Sequence, residues 1–164
     1  MDLENEDYLD FTRCATNNQL TYMVIGGFAM YLNGIRRNTE DFDVWIQPTH
    51  ENGQLFIDTL LCMGFTIDEL DQLTQHDFQE PIVFGLLGTI DVMTRVHQNL
   101  DFEACYSRSR TYVDPRGIEV HFLHLNDLRQ SKVWARRDQD LRDIIQIDDF
   151  IKEREDRKDT DKRF

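Results

Sequence analysis

Apolar residues in this chain gather in short runs that glycine or proline cuts off, and that punctuation limits the folds open to it. "TYMVIG" (21–26) ends on Gly26, "DFDVWI" (41–46) is stopped by Pro48, and "PIVFGL" and "TIDVMTRV" flank Gly88. Each is rich in residues that suit a pleated strand. "YVDPRGIEVHFL" predicts a hairpin turning at Pro115 to Gly117. Between these runs the spacing turns helical: residues 3–17, "FAMYL" after Gly27, and 49–64 with Thr49 as N-cap and Gly64 as the stop. "DFEACYSR", "LNDLRQSKVWARR" and "QDLRDIIQIDDFIKERE" supply further helices. Short strands alternating with helices predict an α/β (α+β) fold, a mixed sheet with helices packed against it. No repeat, low-complexity tract or linker divides the chain, so a single domain is expected over residues 1–152. The tail at 153–164, ending "DRKDTDKRF", is too polar to pack and is expected to fray.

Charge narrows the function. Lys and Arg number 18 against 31 Asp and Glu, a net charge of −13, whereas proteins that grip nucleic acid by its phosphates need clustered bases. The partner expected here is therefore a small molecule or a protein rather than long nucleic acid. No apolar run approaches the roughly 18 residues of a membrane span. The acidic "MDLENEDYLDF" lacks the positive start of a secretory signal, so the expected setting is cytoplasmic. Cys14, Cys62 and Cys105 are odd in number and far apart. They are read as reduced packing residues, with neither a disulfide framework nor a zinc site.

Asp41 and Asp43 stand inside an otherwise apolar strand. Side chains alternate along a strand, so the two share one face while Phe42, Val44 and Ile46 share the other. Carboxylates about 6.6 Å apart on a strand repel unless a cation lies between them, and hard divalent ions such as Mg²⁺ take such oxygens. Asp91, between Ile90 and Val92, offers a third, about 5 Å across the ladder if its strand pairs with the first. A lone Asp in a strand more often faces water at an edge, but three set among β-branched and aromatic residues weigh against that. Gly26 and Gly27, where a strand feeds a helix, let backbone approach an anion such as a polyphosphate. His121 and His124 lack zinc spacing and are read as packing or solvent contacts. Trp45 and Trp134 are read as core.

Gly26-Gly27, a spacer, then Asp41-Phe42-Asp43-Val44 resembles the signature of the nucleotidyltransferase superfamily with the polymerase-beta-like fold, and "IDV" around Asp91 is similar to that family's third-carboxylate strand. "VIGGFAMYLNGIRRNTEDFDVWI", "IDVMTR", "LDFEACYSRSR" and "IEVHFLHLNDLRQSK", with Lys132, Arg137, Asp140 and Asp143, resemble small stand-alone bacterial nucleotidyltransferases related to abortive-infection toxins. The resemblance spans roughly residues 20–150. It implies that Asp41, Asp43 and Asp91 bind two Mg²⁺ ions and that Gly26 and Gly27 hold the triphosphate of an NTP. Asp91 either completes the metal site or takes the proton of the attacking hydroxyl. Lys132 and Arg137 reach phosphates, while Arg37 and Thr39 touch phosphate or brace the loop. A cognate toxin or antitoxin partner is also implied. Relatives often carry Arg-Pro-Lys-Asp where this chain has Arg137-Asp138-Gln139-Asp140. That departure is the sequence support for the alternative, an inactive relative acting as a binding partner.

Overall fold

The computed structural model describes residues 3–161. In chain order its elements are α1 (Glu6–Asn17), β1 (Tyr22–Val24), α2 (Gly26–Leu32), β2 (Phe42–Ile46), α3 (His50–Cys62), α4 (Asp71–Thr74), β3 (Val83–Leu86), β4 (Ile90–Met93), α5 (Phe102–Ser107), β5 (Arg110–Val113), β6 (Glu119–Phe122), α6 (Leu125–Ala135) and α7 (Asp138–Asp161). The strands form one mixed sheet in the order β3-β4-β2-β1-β6-β5. The pairs β2 with β4 and β1 with β6 are parallel, and the remaining pairs are antiparallel. This is the mixed α/β domain with flanking helices that the sequence predicts.

The local rules are visible at the element ends. Thr49 caps α3 by accepting the Asn52 N–H at 3.1 Å, and Asn5 accepts the Asp7 N–H at the start of α1. β3 and β4 are joined at Leu87 and Gly88, both at positive φ (52° and 73°), the geometry whose twist matches that of two antiparallel strands. α7 passes the boundary at residue 152 and stays helical to Asp161, and residues 162–164 of the polar tail lie outside the described residues.

Alternation sorts the central strands onto two faces. Phe42, Val44 and Ile46 face α1 and α3, where Tyr8 stacks on Phe42 at 4.8 Å and Phe28 meets it edge-on at 5.0 Å. Phe84, opposite Val92 on β4, meets Phe56 of α3. Asp43, Trp45, Asp91 and Met93 occupy the other face. There Trp45 is core, as expected: it is 1% exposed, donates from Nε1 to the Thr94 carbonyl at 3.0 Å and packs edge-on against Phe102 of α5. Trp45 is thus covered on the carboxylate-bearing face, while Asp43 and Met93 line a cavity there.

The structure corrects the reading of the cysteines. Cys14 and Cys62 form a disulfide that ties α1 to α3 with Cα atoms 5.7 Å apart, and Cys105 alone stays free and buried. The pair is 48 residues apart in sequence, and only the side-by-side packing of the two helices brings it together. The closed loop restricts the unfolded chain, so reduction is expected to cost about 2–4 kcal/mol. Thermal unfolding with and without dithiothreitol, beside Cys14→Ser/Cys62→Ser, measures this; equal melting of all three would show that the bond contributes nothing.

Candidate functional site

The site starts from a backbone fact. β2 and β4 run parallel in a register that sets Asp43 beside Asp91, and β3 continues the row with Gly85 opposite Asp91. On the other flank, the Ile25 N–H donates to the Asp43 carbonyl at 2.9 Å, and Gly26 follows at φ +62°. A Cβ at Gly26 would run into the Asp43 carboxylate, and one at Gly85 would lie 3.4 Å from Asp91 Oδ1. Two adjacent carboxylates are thus bordered on each side by a residue with no side chain. Gly85 carried no signal in the sequence beyond a glycine inside a strand pattern; its role appears only with the register.

Asp43 records the crowding. Burial first, then the negative charges of Asp91 and Asp41, raise its pKa from 3.8 to about 6, against the opposing pull of Lys132 and Arg137. Asp41 lies just before β2, exposed at the mouth of the strand. It lines a hollow with Arg37, Asn38, Thr39 and Glu40. Among the described residues no three His, Cys, Asp or Glu side chains converge closely enough to hold a metal ion as they stand. The donors at Asp43 and Asp91 nonetheless fit a hard cation chemically: all are carboxylate oxygens, and their mutual repulsion is what a divalent ion relieves.

Opposite the carboxylates stands a second charged group built by α6 and α7. A cavity of about 390 Å³ is lined by Gly26 and Asp43 on one side and by Ser131, Lys132, Arg137 and Asp140 on the other, with Met93, Val96, Leu128 and Ala135 as an apolar wall. Lys132, 6% exposed, donates to Asp143 Oδ2 at 2.5 Å and lies 3.6 Å from Asp140 Oδ1. Arg37 Nε donates to the other oxygen of Asp143 at 2.9 Å, beside Gln139 Nε2 at 2.8 Å. Arg137 gives Asp140 its backbone N–H at 3.0 Å and its Nε at 2.8 Å. Burial of Asp140 opposes its ionisation, but the Arg137 hydrogen bonds win and hold its pKa below 3.8; the same pairing holds that of Arg137 up.

Two aspartates that are each 1% exposed therefore fix three of the predicted cations, Arg37, Lys132 and Arg137. The role of Asp140 and Asp143 emerges only in the fold, where their i, i+3 spacing on α7 puts both on one helix face. Gln139 donates a neutral hydrogen bond into the same network. Thr39 fills the place that Gly27 leaves: a Cβ on Gly27 would come within 2.9 Å of Thr39 Cβ. Thr39 stands in the loop that carries Asp41 and lines a hollow with it.

Comparison with protein families matches residues 10–155 to the family described as nucleotidyltransferase of unknown function (DUF6036). The chain belongs to this nucleotidyltransferase family. Among solved structures it is similar to an antigenic nucleotidyltransferase-like protein from Paracoccidioides brasiliensis, at 18% identity and a TM-score of 0.44, covering 87% of this chain and 76% of that one. Comparison with curated proteins finds no match. The match takes in every candidate residue of the site. No helix among the described residues is long and apolar enough to cross a membrane.

The raised pKa of Asp43 sets a pH dependence. Folded Asp43 keeps its proton to about pH 6, the unfolded chain only to about its ordinary 3.8. Ionising it therefore opposes folding, with no effect below about pH 4 and a growing penalty as pH rises through 6. In EDTA, Asp43→Asn is expected to be more stable than the parent by about 1–3 kcal/mol at neutral pH and equal to it near pH 4. Melting curves across that range check it; a variant that is less stable at neutral pH would show that Asp43 is not repelled.

Proposed function

We propose that this nucleotidyltransferase-family chain transfers a nucleoside monophosphate from an NTP to a hydroxyl acceptor. The observation that carries the reading is the single cavity in which Asp43 and Gly26 face Lys132 and Arg137. It offers carboxylate oxygens on one wall and fixed cations on the other, which a metal-bound polyphosphate needs in combination.

Asp41, Asp43 and Asp91 are the residues that would hold Mg²⁺. When bound, the ions would neutralise the carboxylates and withdraw charge from the phosphate oxygens. The remaining steps belong to the protein. Gly26, lacking a Cβ beside Asp43, keeps the floor of the cavity clear so that phosphate oxygens approach backbone. Arg137 presents a planar fork and Lys132 a point charge toward the triphosphate, each held in place by Asp140 and Asp143. The apolar wall of Met93, Val96, Leu128 and Ala135 suits a nucleobase or an apolar part of the acceptor. A carboxylate, with Asp91 the candidate, takes the hydroxyl proton as the acceptor oxygen bonds to the α-phosphorus. The bond from that phosphorus to the bridging oxygen then breaks, and pyrophosphate leaves with its electron pair. The acidic surface favours a small-molecule or protein acceptor.

Incubating the protein with each α-labelled NTP, Mg²⁺ or Mn²⁺ and a cell extract tests the reading. Label is expected in an acceptor, with pyrophosphate released in equal amount. Asp43→Asn and Asp91→Asn are expected to lower turnover by about a thousandfold or more, and Arg137→Ala by about tenfold to a hundredfold. No labelled product with any NTP, or full turnover by Asp43→Asn, would overturn it.

A further inference from the structure

From Pro81 to Ile90 no residue is charged, in a chain that is 30% charged. This stretch forms β3 and the turn into β4, and β3 is an edge strand of the sheet. Edge strands are usually blunted by charge, proline or a covering segment, because their unpaired backbone accepts another strand. Here Val83 is 68% exposed and Leu87, at the turn, 53%.

The ladder shows which backbone groups are free. The Thr94 N–H donates to the Ile82 carbonyl at 3.2 Å, and bonded positions alternate along an antiparallel pair. Phe84 and Leu86 therefore bond to β4 as Ile82 does, while Val83 and Gly85 turn their N–H and C=O groups outward. Neither makes a backbone hydrogen bond to any other described segment.

This edge adjoins the carboxylates. Val83 pairs with Met93, which lines the cavity of about 390 Å³, and Gly85 pairs with Asp91. A strand added antiparallel to β3 places one residue directly opposite Gly85, on the face of Asp91. Opposed residues lie about 4.5 Å apart where unbonded and about 5.5 Å where bonded, so about 10 Å separates the added residue from Asp91. Gly85 puts no side chain between them. Across that span tyrosine, the longest hydroxyl-bearing side chain, brings its oxygen to Asp91, whereas serine and threonine stop short. Charge defines the rest of the partner. Residues 67–80, which lead into β3, hold five acids and no Lys or Arg, and Asp77 and Glu80 are exposed. A segment that is basic beyond its paired residues complements them.

We propose that an extended, basic protein segment adds to the sheet beside β3 and presents a tyrosine hydroxyl to Asp91 across Gly85. The docking stands on the edge strand alone; the use of tyrosine as acceptor rests on the nucleotidyl-transfer reading. In that step the phenol proton passes to a carboxylate and the phenol oxygen bonds to the α-phosphorus. Pyrophosphate leaves with the electron pair of the broken bond.

The probes are the fluorescein-labelled peptide RRVTYTVRR and its serine counterpart RRVTSTVRR, with the full chain in EDTA and no NTP. Both are expected to bind, by fluorescence anisotropy, and to slow amide hydrogen exchange at Val83 and Gly85, with the already bonded Phe84 and Leu86 little changed. Val83→Lys, at an exposed position, is expected to keep its melting temperature and to weaken binding about tenfold or more through like-charge repulsion. With each α-labelled NTP and Mg²⁺, the tyrosine peptide is expected to take label about tenfold or more faster than the serine peptide. No saturable binding, protection at β5 instead, or unchanged affinity in Val83→Lys would overturn the docking and leave nucleotidyl transfer standing. Protection of Val83 and Gly85 that grows with protein concentration, without peptide, would give the edge to a second copy and overturn it too. Equal labelling of both peptides, or label in an extract acceptor but in neither bound peptide, would overturn the choice of tyrosine. Label nowhere while both peptides bind would overturn nucleotidyl transfer, and the acceptor role with it.

Discussion

The parallel pairing of β2 with β4 is the constraint from which the rest of the site follows. It sets Asp43 against Asp91 in the interior of a six-stranded sheet, where neither carboxylate can turn fully to water. Slipping the register by one residue would exchange these carboxylates for Phe42 or Val44 and drive charge into the aromatic layer under α1, so the apolar face enforces the acidic one. The repulsion is then stored in a fold that the aromatic contacts of Tyr8, Phe28 and Phe42 hold closed.

The second half of the site solves the opposite problem. A lysine that is 6% exposed and two aspartates that are 1% exposed would be costly singly, because the interior solvates charge poorly. Together with Arg37 and Arg137 they satisfy one another across α6, α7 and the loop before β2. The loop joins this network through Arg37, and α1 grips it a second time, where the Tyr8 hydroxyl donates to the Glu40 carbonyl at 2.5 Å. Asp41 is thereby tethered from both sides, although its own side chain is exposed. The disulfide between Cys14 and Cys62 anchors α1 from its far end, which connects that bond to the position of the loop.

Much of this was legible because it rests on local rules. Thr49 and Gly64 mark the limits of α3, Gly88 marks the hairpin, and the apolar neighbours of Asp43 and Asp91 mark their strands; Asp41, read as part of the same strand, lies just before it. The spacing of Gly26-Gly27 and Asp41-Phe42-Asp43 carried the family resemblance, and the family match bears it out at the level of nucleotidyltransferase. The cysteines were misread for a physical reason. Their separation of 48 residues contains no local pattern, and only helix packing decides which residues of α1 and α3 face each other. Alternation put Phe42, Val44 and Ile46 on the face opposite Asp43, but it says nothing of the α5 side chain, Phe102, that packs against Trp45.

The sequence alone determined the kinds of element, their order and the chemical identity of the candidate residues, since propensity, capping and alternation act over a few neighbours. Tertiary structure decided which of those residues meet. Gly85 became part of the carboxylate row only through the antiparallel pairing of β3 with β4. Asp140 and Asp143 became the holders of Arg37 and Lys132 only when α7 folded back on α6. Contacts of this kind depend on the packing of distant segments, and no short stretch of the chain contains both partners.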